Sequence, residues 1–61
     1  MMIYRITDDW GYTISIKMDD EGIFRARIEH GEQCYWKRTF FSWKRAVDEA
    51  RMEVALLTVH G

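Results

Sequence analysis

Arginine, lysine and tryptophan are the residues of this 61-residue chain whose types and spacing could support an interaction. They concentrate in Phe24-Arg25-Ala26-Arg27-Ile28 and in Tyr35-Trp36-Lys37-Arg38-Thr39-Phe40. A guanidinium offers a planar fork of donors to phosphate, carboxylate or a guanine edge, and it stacks on aromatic faces. Arg25, Arg27, Trp36 and Arg38 are therefore the candidate partner-binding residues. Residues 23–45 hold six basic and two acidic side chains, a local charge of +4 within a chain of net charge −1. Residues 1–22 carry −3 and residues 46–61 carry −2. The acidic groups Asp8, Asp9, Asp19, Asp20 and Glu21 could form a patch of their own. Turn geometry favours aspartate at such places in any case.

The groups needed for catalysis are not assembled in this sequence. His30 and His60 are the only histidines and Cys34 the only cysteine, a set without zinc-ligand spacing. Asp19-Asp20-Glu21 lacks the spaced oxygen ligands of a calcium loop, and no glycine-rich phosphate loop is present. A thin sheet with one helix also leaves little room for a ligand pocket of roughly 300 Å³ or more. The expectation is a non-enzymatic protein with no cofactor and no metal. Cys34 cannot form an internal disulfide and reads as a structural residue of a reducing compartment. No apolar run approaches the roughly 18 residues that span a bilayer, and the N-terminus lacks the pattern of a signal peptide. A cytoplasmic setting without membrane contact is expected.

The elements that must position the basic groups follow from hydrophobic period. Met2 to Thr7 is a short strand candidate, closed by Asp8-Asp9-Trp10-Gly11. Tyr12 to Met18 alternates apolar and polar through seven residues, the period of a half-buried strand. Asp19-Asp20-Glu21-Gly22 is a hairpin connection. The strand from Ile23 to His30 puts Phe24, Ala26 and Ile28 on one face and Arg25, Arg27 and Glu29 on the other. After Gly31-Glu32-Gln33, Cys34 to Phe41 forms the last strand. There Trp36 and Arg38 share one side, and Tyr35, Lys37 and Thr39 the other. Aromatics on both parities leave this strand's facing open.

Ser42 is a suitable N-cap. After it Trp43, Ala46, Val47, Ala50, Val54 and Leu57 recur at three- and four-residue steps, one apolar stripe of a helix over about 43–59. A second stripe, Met52, Leu56 and Val59, lies on the opposite side. Either the N-terminal strand covers it or a second chain does, as in a homodimer. Residues 1–61 thus form one α+β domain: a three- or four-stranded antiparallel sheet, its strands within 2–41, packed on a C-terminal amphipathic helix.

The segment Gly22-Ile23-Phe24-Arg25-Ala26-Arg27-Ile28, then Trp36-Lys37-Arg38-Thr39-Phe40, Ser42, Ala46, Val47 and Ala50 resembles the three-strand-plus-helix DNA-binding domain of ethylene-response factors. It also resembles the related arm-site-binding domains of phage and transposon integrases. That likeness covers about half the chain, and it implies that Arg25, Arg27, Trp36 and Arg38 lie at DNA. It departs from the family in a first strand offering only Lys17, in Cys34 at a position commonly basic, and in Asp19, Asp20 and Glu21 near the path of phosphates. The expected function is a phage- or mobile-element-related module that binds DNA with a basic and aromatic sheet face. The alternative is a small protein that binds and inhibits a host protein complex, as anti-CRISPR proteins do.

Overall fold

Asp8 and Asp19 fold the chain twice in the same way. Asp8 Oδ1 accepts from the backbone N–H groups of Trp10 and Tyr12, both at 2.9 Å. Asp19 Oδ1 accepts from those of Glu21 and Ile23 at 2.9 and 3.0 Å. The backbone bonds match as well: Asp8 N–H donates to Tyr12 and Gly11 N–H to Asp8, as Asp19 N–H does to Ile23 and Gly22 N–H to Asp19. Both turns close on a left-handed residue, Gly11 at φ 87° and Gly22 at φ 81°, a conformation that glycine reaches without a Cβ penalty.

The structure, a computed structural model, describes residues 2–60 and the side chains of 3–59. Its elements are β1 (Met2–Thr7), β2 (Tyr12–Met18), β3 (Phe24–His30), β4 (Gln33–Phe40) and α1 (Trp43–His60). The strands form one antiparallel sheet in the order β1-β2-β3-β4. Residues 2–7 are thus a strand, and the sheet has four rather than three.

Register sets the core. Ile14 lies opposite Ile28 and Ile28 opposite Trp36; Ile16 lies opposite Ala26, and Phe24 opposite Phe40. The inner face of these pairs buries Ile14, Ile16, Ala26, Ile28 and Phe40 against Ala46 and Ala50 of the helix. Small side chains at Ala26, Ala46 and Ala50 let the helix settle on the sheet. It lies over β3 with β2 and β4 on either side. Phe24, Val47, Val54 and Leu57 pack around this centre, as the two periodicities predict. Ser42 caps the helix, its Oγ accepting from Arg45 N–H at 3.4 Å. Trp43 turns its ring onto Tyr4 (5.5 Å) and Phe24 (5.9 Å), so the helix start is pinned to β1 and β3 by aromatic contacts.

Two features differ from the alternation of the sequence. β4 carries a bulge: Ile28 lies opposite Trp36 but Glu29 opposite Cys34, so Tyr35 is the extra residue. A bulge breaks the period of two. Tyr35 consequently joins Tyr12 (6.0 Å) and His30 (6.3 Å) instead of sharing a side with Lys37 and Thr39. The second feature is the helix back. β1 does not cover Met52, Leu56 and Val59, which stay exposed, Met52 at 62%.

Candidate nucleic-acid interface

The face of the sheet away from α1 is built by the polar positions of all four strands. Arg5 lies opposite Ser15, Ser15 opposite Arg27, and Arg27 opposite Lys37, a row that crosses the sheet. Beside it run Lys17, Arg25 and Thr39. Neighbouring strands lie about 4.8 Å apart, so each row brings its cations close together. Ser15 is only 4% exposed although it sits on this uncovered face. Its register neighbours on either side are Arg5 and Arg27, long side chains whose methylene stems are suited to covering a small residue between them. Lys17, Arg25, Arg27, Lys37 and Thr39 line a concavity of about 490 Å³, open to solvent, with Ala26 and Arg38 completing the lining from the intervening register positions. That is more room than a thin sheet promises from sequence.

Two of the guanidiniums are held by carboxylates. Arg25 binds Asp19 Oδ2 side-on, through Nε at 3.3 Å and Nη2 at 3.2 Å. Arg27 Nη2 lies 3.4 Å from Glu29. Its Nε is enclosed without a hydrogen-bond partner. Lys17 and Lys37 make no ion pair among the described residues. Asp19 titrates below its ordinary value. The N–H of Ile23 is the main cause, with the N–H of Glu21 and the Arg25 guanidinium acting in the same sense and partial desolvation opposing them. Its second oxygen therefore remains an anion beside Arg25 at neutral pH.

Trp36 and Arg38 lie on the other side of the sheet. Trp36 is half-buried over Ile28, its ring 6.2 Å from that of Phe40. Arg38 lies opposite Ala26 with its guanidinium 5.7 Å from the Phe40 ring, at the free edge of β4. The four residues singled out from sequence are thus divided, Arg25 and Arg27 together on the open face, Trp36 and Arg38 directed away from them. Lys17, Lys37 and Arg5 take the places beside the first pair. The signal for Lys37 is its pairing with Arg27, which the Tyr35 bulge conceals.

No group of three or more His, Cys, Asp or Glu side chains suited to a metal ion occurs among the described residues. Cys34 is exposed, its Sγ 3.6 Å from the Trp36 carbonyl oxygen. Among the described residues, no helix is long and apolar enough to cross a membrane. What the open face offers chemically is a set of cationic N–H donors, two of them paired to carboxylates, of the kind that oxyanions accept from. Comparison with family models, curated proteins and solved structures finds no match to this chain.

Proposed function

We propose that this protein is a non-enzymatic DNA-binding module and that the open sheet face is its interface. The observation that carries the reading is the gathering of Lys17, Arg25, Arg27 and Lys37 on one uncovered face around one concavity. Polar solvation alone would be served equally by threonine or glutamate, whereas guanidiniums set between lysines suit phosphate and guanine recognition. Four strands span about 14 Å between outer backbones, wider than the major groove of roughly 12 Å. β2, β3 and β4 span about 10 Å and carry all four residues. In this reading they enter the groove while β1, with Arg5, rides at its rim against phosphates.

Asp19 and Glu29 pair with Arg25 and Arg27 at this face. They also lower its net charge, which keeps non-specific affinity modest. The test is fluorescence anisotropy of a labelled duplex at several salt concentrations. The reading predicts binding at about 50 mM salt and a steep linear fall of log K with log salt. A complex with a protein whose stability ignores salt would favour the inhibitor reading instead.

A further inference from the structure

The twin turns contain an internal control. Asp8-Asp9-Trp10-Gly11 and Asp19-Asp20-Glu21-Gly22 make the same hydrogen bonds and close on the same glycine conformation. Their third residue is tryptophan in one and glutamate in the other, so the turn does not require an aromatic. Trp10 is also not core, being 71% exposed. Its indole is spare with respect to folding.

It lines a pocket of about 340 Å³ together with Tyr12, His30, Leu57 and Thr58. Tyr12 and His30 lie 4.7 Å apart at 46°, and Tyr35 stands nearly edge-on to both. His30 Nε2 donates to the Trp10 carbonyl at 3.1 Å. Gly11 allows this approach, since a Cβ there would come within 3.3 Å of the imidazole.

The electrostatics of the pocket favour a cation. Aromatic faces carry negative potential. Leu57 and Thr58 belong to the last turns of α1, the negative end of the helix dipole. Asp8 and Asp9 are in the adjoining turn. No lysine or arginine lines the pocket; Arg51 faces the neighbouring groove, which it shares with Asp8 and Val54. We propose that this aromatic pocket is a docking site for a basic side chain, lysine or arginine, of a partner polypeptide. A polypeptide fits better than a free small cation because Trp10 and Tyr35 are both exposed and Tyr35 packs against the lining residues Tyr12 and His30, which leaves aromatic surface beside the pocket for a longer chain to cover. The site lies apart from the basic sheet face and does not depend on DNA binding.

The test is titration of the ¹⁵N-labelled protein with N-acetyl-arginine amide and N-acetyl-lysine amide, followed at the Trp10 indole N–H. The uncharged analogues N-acetyl-citrulline amide and N-acetyl-norleucine amide are the controls, and tetramethylammonium is the small-cation arm. The expected result is a saturable shift of the Trp10 signal with arginine or lysine, at an affinity about threefold or more above that of the uncharged analogue. Trp10→Gln, which approximates the glutamate of the twin turn, should keep the fold by circular dichroism and lose the response. Trp10→Phe should keep the response, read at the Tyr12 and Tyr35 ring signals. Equal binding of arginine and citrulline, undiminished binding to folded Trp10→Gln, or no shift at Trp10 would each overturn the proposal. Tighter binding of tetramethylammonium than of either amino-acid amide would overturn it too, reassigning the pocket to a small quaternary ammonium.

Discussion

Replacing Asp19 by asparagine separates two roles of one side chain. Oδ1 organises the turn by accepting from Glu21 and Ile23, while Oδ2 neutralises Arg25. Asparagine keeps a carbonyl acceptor and loses the charge. The open face carries five cations (Arg5, Lys17, Arg25, Arg27, Lys37) and two carboxylates (Asp19, Glu29), so the substitution raises its charge from +3 to +4. One more phosphate neutralised adds about 0.9 to the slope of log K on log salt, roughly 3.5-fold between about 50 and 200 mM. Asp19→Asn should therefore bind duplex DNA roughly three- to tenfold more tightly at about 100 mM salt and with a steeper salt dependence. Asp19→Ala gives the same charge but loses the turn, and its melting temperature should fall further than that of asparagine. The acid side of the stability curve supplies a second readout. The native pKa of Asp19 is depressed, so its contribution is complete above the ordinary carboxylate pKa of about 3.9 and is lost as pH falls through the lower native value. That portion of the pH dependence should disappear in Asp19→Asn. Anisotropy titrations at four salt concentrations decide the main point. A folded Asp19→Asn protein with weaker DNA binding, or with an unchanged slope, would mean that Asp19 and Arg25 do not lie at the DNA.

Gly11→Ala should cost about 1–2 kcal/mol from its left-handed backbone, plus the displacement of His30 3.3 Å away. Gly22→Ala, with no atom within 4 Å of the new Cβ, should cost only the backbone part in the same urea titration. Ile28→Ala empties a fully buried position between Ile14 and Trp36 and should cost about 2–5 kcal/mol. A 61-residue domain has roughly 3–9 kcal/mol in all, so this variant should be largely unfolded at moderate urea; a midpoint near wild type would contradict the core assignment. Met52, Leu56 and Val59 should pair with the same stripe of a second copy, giving a dimer mass in sedimentation equilibrium at micromolar concentration that Met52→Lys reduces to monomer. A monomer mass for the wild type at every concentration would mean that the stripe stays in water.

The fold is legible in the sequence where a single period governs a segment. β2 and β3 alternate cleanly because one face is core and the other polar, and α1 shows its stripe because Ala46 and Ala50 must meet the sheet. β4 is not legible in the same way. Its bulge at Tyr35 places two successive aromatics, Tyr35 and Trp36, toward the helix side, and no alternation can express that. The mixed composition of the site follows from it. Composition groups Trp36 and Arg38 with Arg25 and Arg27, whereas strand register assigns Lys37 to Arg27 and turns Arg38 onto the Phe40 ring. Trp10 escapes a reading by motif because Asp-Asp-X-Gly is ordinary turn punctuation. The repeat of that pattern at Asp19 is the sign, present in the sequence itself, that the tryptophan serves something other than the turn.

In the proposed arrangement DNA meets the sheet on the side away from the helix. Two double variants test it directly by anisotropy against one duplex at about 100 mM salt: Arg27→Ala with Lys37→Ala on the open face, and Trp36→Phe with Arg38→Ala on the other. Removing two neighbouring cations in the first should weaken binding about tenfold or more and reduce the salt slope by about 1.8. The second should bind within about threefold of wild type, since it gives up at most one peripheral phosphate partner. Equal weakening in both folded variants, or a larger effect in the second, would contradict the assignment of the interface to the open face.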